Sequence, residues 1–367
     1  SGGNIFNSTA TIENQDATRA FRLANESGDT YNSDAKFDTG TNNVQVGYKG
    51  NNYFAGNITI NSTKVVFNAS TGKVILNGAN DQMFYGEAAY NIGKLEINKD
   101  AGTVTLTRSM TIDSSITFIN GIINTDSTIT LKAAVNCSGA SNLSFVDGPV
   151  KKIGNTAFVF PVGASTGYFP LEMTTPSNIS DSYLCRYVNR NHGESDSLDT
   201  SIGYLATCGY WQFNRLNGTS NVKVRLFWDS LGCGVYDTTN LTVANWNGTL
   251  WKDLGNDSIS GNKLCGSIYS EISVLSFNKI VWAQVVPQAV IVADLGTNSR
   301  SIPEDFFGYN GSNTITSLDD GTPLQSWNIL HNKEWLNSTK GTLIRIPAGT
   351  LSNYADWKTG YPIIERD

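Results

Sequence analysis

The chain has 367 residues, only 16% of them charged, and a formal net charge of −6. With a pI near 5.1 and no basic stripe, it lacks the footprint of a nucleic-acid surface, and no apolar run approaches the ~18 residues of a membrane-spanning helix. Asn, Ser, Thr and Gly carry the polar balance, with 35 glycines against nine prolines, which suits strands and tight turns better than helices.

In chain order, residues 1–150 predict short stacked strands. Runs at 57–61, 64–68, 73–77, 94–98, 103–107, 110–112, 116–119 and 128–131 recur at roughly 8 to 12 residues, with Asn or Gly at the turns. That spacing fits a β-solenoid or a sandwich. The shortness of the strands and the asparagines at their ends, able to ladder between coils, favour the solenoid-like reading. Ser1 opens no signal peptide, so it reads as a processed terminus or an imposed boundary.

The stretch 154–163 alternates Phe158 and Phe160 with Ala157 and Val159, then stops at Pro161 and Gly163. It reads as the first strand of a second domain, an antiparallel β-sandwich over 151–284. In the run 222–228, Trp228 belongs to the buried alternation, and Asn247-Gly248 predicts a tight hairpin. Further strands are expected at 210–215, 241–246, 250–253, 273–277 and 280–284. Residues 285–288 form a linker. Residues 289–367, with buried strands at 289–293 and 342–346 and helical spacing over 326–336, predict an incomplete α/β, barrel-like segment.

Five cysteines and two histidines without C-x-x-C spacing argue against zinc and for disulfides in an exported protein. Cys185, Cys208, Cys233 and Cys265 allow three connectivities; Cys208–Cys233 with Cys185–Cys265 is the preferred pairing, leaving Cys137 as a buried thiol. Lys151-Lys152 reads as a solvated turn. Asp29, Asp34 and Asp38, and likewise Asp319-Asp320-Gly321, lie in polar stretches without calcium-loop spacing, so no metal site or cofactor is assigned and calcium stays an unsupported option.

The run 120–125, then 146–155, 158–163, 208–215, 230–234 and 245–248, resembles large secreted surface proteins of Bacteroidetes exported by the type IX secretion system. The resemblance covers residues 90 to 284 and implies an adhesin-like protein, extracellular or at the cell surface, handled by that export machinery. It also implies O-glycosylation at Asp-Ser/Thr triplets, here on Ser127, Ser197, Ser230, Thr238 and Ser258. A second resemblance, carried by Phe307-Gly-Tyr-Asn310, 344–350 and 353–360, is to the opening of arabinofuranosidase-like glycoside hydrolase barrels. No residue here matches that family's later catalytic carboxylates, and Ala355 replaces the usual aromatic.

No catalytic residues are assigned. A Ser-His-Asp arrangement would need His192 or His331; neither sits in a nucleophile motif, and His192 reads as part of a polar loop. Sugar-contact candidates are Arg345, Asn353, Asp356 and Trp357, just after a barrel-type strand, with Trp246 and Phe227 as aromatic faces. The expected function is a non-catalytic, adhesive, display or structural region of an exported surface protein, with polysaccharide or other surface proteins as partners. Two alternatives stand: ancillary domains and barrel start of a secreted polysaccharide-degrading glycoside hydrolase, and a carbohydrate-binding module.

Overall fold

The computed structural model describes residues 2–285, apart from 39, 68–70, 87–88, 166, 195–196, 230–234 and 236–237, together with the backbone of 290–294 and 342–345. The described part is all β and opens with a parallel β-solenoid of about six turns over residues 5–152.

Three ladders of parallel strands define its faces: the second runs through Ala10–Ile12, Ala35–Phe37, Ile58–Ile60, Gln82–Gly86, 103–106, 122–124 and Val146–Asp147, and the third through Phe21–Arg22, Val44–Gln45, Val65–Val66, 90–92, 110–112, Ile129–Leu131 and Val150–Ile153. In the first, Ile5 pairs with Thr30, Thr30 with Tyr53, Tyr53 with Ile75, Ile75 with Glu96, Glu96 with Thr117, and Thr117 with Ser138. The coil length, read as the difference between partners, therefore shortens from 25 to 23, 22 and then a steady 21 residues. Alternate residues point inward and stack on their counterparts one coil away. Phe6, Tyr31 and Phe54 lie face to face, with ring centroids 4.7 and 4.6 Å apart, and Leu76, Ile97 and Phe118 continue the column.

The turns explain why Asn and Asp are so abundant. A side-chain oxygen on one coil accepts a backbone amide of the next: Asp34 from Asn57, Asn57 from Met83, and Asp81 from Thr103, each at 2.8 Å. An Asn–Asn rung also forms, Asn32 donating to Asn7 at 2.8 Å. These bonds satisfy the amides that enter each strand and fix the stacking of coils.

Asp29, expected in a polar loop, is instead fully buried in the strand Asp29–Tyr31, accepting amides from Asn4 and Ala24. Asp34 is engaged in the turn bond above, and Asp38 pairs with Lys36 at 2.8 Å. All three carboxylates have protein partners, and the described residues hold no cluster of metal-ligating side chains. Asp319, Asp320 and Gly321 lie outside the described residues.

Two lysines plug the corners. Lys99 is 1% exposed, and its ammonium donates to the carbonyls of Asn77 at 3.0 Å and Asn80 at 2.7 Å. Lys152 is equally buried, donating to the carbonyls of Lys132, Ala133 and Ile153 at 2.8 to 2.9 Å. The expected solvated turn at Lys151-Lys152 is thus corrected: Lys152 turns inward, and its burial is made tolerable by three carbonyls that accept from its ammonium. Burial lowers the pKa of both ammonium groups.

At its far end the third ladder does not stop. Val150–Ile153 pairs in parallel with Ile129–Leu131 on one side and antiparallel with Ser182–Val188 on the other. Ser182–Val188 is followed laterally by Tyr210–Asn217, Lys279–Val285, Leu241–Trp246 and Trp251–Asp253, all antiparallel. A second antiparallel sheet runs Phe158–Phe160, Leu171–Met173, Val224–Trp228, Gly266–Tyr269, Ser258–Gly261. Phe160 meets Phe213 edge-on at 5.9 Å, and the Trp211 indole donates to the Phe169 carbonyl, so the two sheets share a buried layer. Phe158–Phe160 belongs to the second sheet, while Val162, two residues on, bridges in parallel to Val146 and lengthens the solenoid's second ladder. One hydrophobic cluster runs from Ile12 to Trp282, and Ser1–Val285 forms one compact unit.

Trp228 is buried as expected, and the Asn247-Gly248 hairpin forms, with Gly248 at φ 102° and the Asn247 side chain accepting the amides of Thr249 and Leu250. The run 273–277 keeps only an isolated bridge, Val274 to Val222.

The cysteine pairing is corrected in part. Cys185 is free and fully buried inside the sheet, opposite Phe213, and Cys265 is free and exposed beside the turn at Gly261–Gly266, so they form no bridge. Cys208 is disulfide-bonded; Cys233 lies outside the described residues. Cys137 is a free thiol, half-buried, its pKa pushed up by burial to about 12.

In the second unit, Val286–Asp367, the described strands Val290–Asp294 and Thr342–Arg345 pair antiparallel. Neighbouring strands of an α/β barrel run parallel, so this pairing departs from the barrel expectation. The expected helix at 326–336 lies outside the described residues.

Candidate functional site

A concavity among the described residues lies where the solenoid meets the antiparallel sheets. It is an open groove of about 650 Å³, within the range of ligand sites.

Its floor is the outward side of the second ladder. Val104, Leu106, Ile123 and Val146 point into the core, so Thr105, Asn124 and Asp147 point out. The register pairs Thr105 with Asn124 and Asn124 with Asp147. A hydroxyl, an amide and a carboxyl thus stand in one row on successive coils, about 4.8 Å apart. Thr103 and Ile122, also paired, form a second row.

One wall comes from the strand Ser182–Val188. Cys185 and Tyr187 are buried, which turns Arg186 outward. Its guanidinium reaches Asp126 at 3.3 Å. Asp126 rides on a turn pinned by Thr125, whose hydroxyl donates to the Leu106 carbonyl and accepts the Ser127 amide. Ser165 also lines the groove, its backbone amide close enough to Asp147 to favour the carboxylate.

Burial raises the pKa of Asp147; Arg186 lowers it, and Asp126 raises it. The three charged groups leave the groove one negative charge in excess. Such a surface disfavours anions and offers many groups that both donate and accept hydrogen bonds. Groups of this kind can hydrogen-bond a polar, uncharged molecule.

The sequence-predicted site residues fall elsewhere. Phe227 is half-buried on the outer face of the second sheet, and Arg225 lies over it at 5.0 Å and over Tyr269 at 5.4 Å. Arg225 is held there by Ser267 and Glu172, and the Tyr269 hydroxyl donates to Glu172 at 2.6 Å. The guanidinium occupies the rings' faces, which removes the flat platform that sugar stacking needs. Trp246 is half-buried and packs on the fully buried Trp251 at 5.7 Å. Arg345 ends a strand known here only as backbone, and Asn353, Asp356 and Trp357 lie outside the described residues.

Of the glycosylation candidates, Ser197 and Ser258 are exposed, Ser127 and Thr238 are half-buried, and Ser230 is outside the described residues. Ser127 lines the groove.

His192 lies in a loop with exposed Arg190 and Asn191, as expected, but its side chain turns inward. The imidazole is 3% exposed and packs on Trp251 at 4.8 Å.

The chain matches no family model, no curated protein and no solved structure. A functional reading therefore rests on the residues themselves. The groove escaped sequence reading because its members are spread from Thr103 to Arg186. The available signal was the polar alternation Thr103, Thr105, Thr107.

Proposed function

We propose that this chain is a non-catalytic region of an exported cell-surface protein, with an adhesive, display or structural role. The observation that supports this most is the shared core. Coils and antiparallel sheets, the latter read here as a sandwich, are joined by hydrogen-bonded strands across Val150–Ile153 and by one apolar cluster. A protein that must hold a binding face away from a cell gains from such continuity, since a packed interior deforms little. Polysaccharide is the favoured partner, because the groove at the joint is polar and carries little charge.

The test is accessibility on intact source cells. Antibodies raised against the purified chain should label unpermeabilised cells, and external protease should remove the signal. Labelling only after permeabilisation would sink the surface reading. The reading as an ancillary part of a polysaccharide hydrolase draws on the same groove, but the antiparallel pairing of Val290–Asp294 with Thr342–Arg345 gives the barrel no support.

A further inference from the structure

We propose that the groove binds a neutral oligosaccharide lying along the solenoid axis, across the row Thr105, Asn124 and Asp147. This deepens the polysaccharide-partner part of the reading above and does not depend on where the protein resides.

Three observations carry it. The first is periodicity. Because the row is built by parallel register, one polar side chain is presented per coil, at the interstrand spacing of about 4.8 Å. A linear polymer with a hydroxyl-bearing ring as its repeat meets an equivalent contact at each step. A compact ligand would use only one.

The second is the donor and acceptor set. Threonine hydroxyls and the Asn124 amide both donate and accept, Asp147 accepts, and Arg186 donates. A sugar hydroxyl is itself donor and acceptor, so this mixture matches vicinal hydroxyls without a fixed ion. Ile122, outward and half-buried beside the row, supplies an apolar surface for ring C–H groups.

The third is charge. Among the described residues Arg186 is the only cation lining the groove, and Asp126 already engages it at 3.3 Å. An anionic chain would face Asp126 and Asp147 with no free positive partner.

The experiment uses the full chain, produced without glycosylation. Cello-, xylo-, manno- and arabino-hexaose serve as neutral probes and hexagalacturonate as the anionic one, read by saturation-transfer NMR and calorimetry. At least one neutral hexaose should bind saturably. Thr105→Arg, which projects a long side chain into the row, should weaken it by on the order of tenfold or more, the equivalent of at least one good contact. The nearly isosteric Asp147→Asn should weaken it several-fold while circular dichroism and Tm stay those of the parent. Hexagalacturonate should bind more weakly than the neutral ligand. The proposal is overturned if no neutral hexaose binds, if affinity survives both substitutions in folded protein, or if hexagalacturonate binds more tightly. Antibody labelling of cells is unaffected by any of these outcomes, so the two readings fail separately.

Discussion

The ammonium of Lys279 lies 2.5 and 2.6 Å from the two carboxylate oxygens of Glu194 and also donates to the His192 carbonyl at 2.6 Å. This clasp ties a loop to the strand Lys279–Val285 and seals His192 against Trp251. Within it, His192 Nδ1 accepts the Glu194 amide at 3.3 Å, whereas Nε2 is buried with no partner among the described residues.

That geometry makes the fold acid-sensitive. Burial lowers the His192 pKa below 6.5, Glu194 acting against this and Lys279 with it. Protonation is therefore easier in the unfolded chain, and the neutral ring's contribution is complete above pH 6.5 and erodes as pH falls through that value. Thermal melts from pH 7.5 to 5 should show a falling Tm, and His192→Phe, which keeps a ring against Trp251, should flatten the slope. Equal slopes in both proteins would contradict this account.

A second prediction concerns the lysine plug. Gly121 has φ 104°, and a Cβ there would sit 2.4 Å from Cγ of Lys99. Gly121→Ala should cost about 1–3 kcal/mol from backbone strain and displacement of the stem. Lys99→Met keeps the stem but strands the Asn77 and Asn80 carbonyls, for about 1–3 kcal/mol. Urea unfolding measures both, and a loss under about 0.5 kcal/mol in either would remove the plug from the account of stability.

Thiol reactivity separates the cysteines. Cys265 is exposed and should react with a chromogenic disulfide reagent in the native protein. Cys185, buried with its pKa raised well above the ordinary thiol value, should react only on unfolding. Non-reducing peptide mapping that recovers a Cys185–Cys265 bridge would refute the packing of both.

Glycosylation is read from protein isolated from its native source. Glycopeptides are expected first at the exposed Ser197 and Ser258. A sugar on Ser127 would stand at the groove and should abolish hexaose binding. A bare polypeptide mass removes the glycosylation proposal altogether.

The coils were legible because inward alternation, as in Ile58 and Ile60 or Ile116 and Phe118, is imposed by the core on a local pattern. Trp228 and the Asn247-Gly248 hairpin were legible for the same local reason. Lys152 and His192 were not: their chemistry reads as polar, and only the third dimension supplies the carbonyls and the indole that bury them. The groove was hidden further still, because Arg186 joins Asp126 across 60 residues of sequence. Phe227 stands out in sequence as an aromatic face for a sugar, yet Arg225 covers its ring.

Val150–Ile153 has a partner strand on each side, and this decides how the protein meets other copies of itself. A parallel stack that ended there would offer bare amides and carbonyls as a template for another chain. By handing that edge to Ser182–Val188 and reversing strand direction, the fold blocks recruitment of a further coil along that ladder. Where partly unfolded neighbours present free strands, this edge of the stack is closed to templated aggregation.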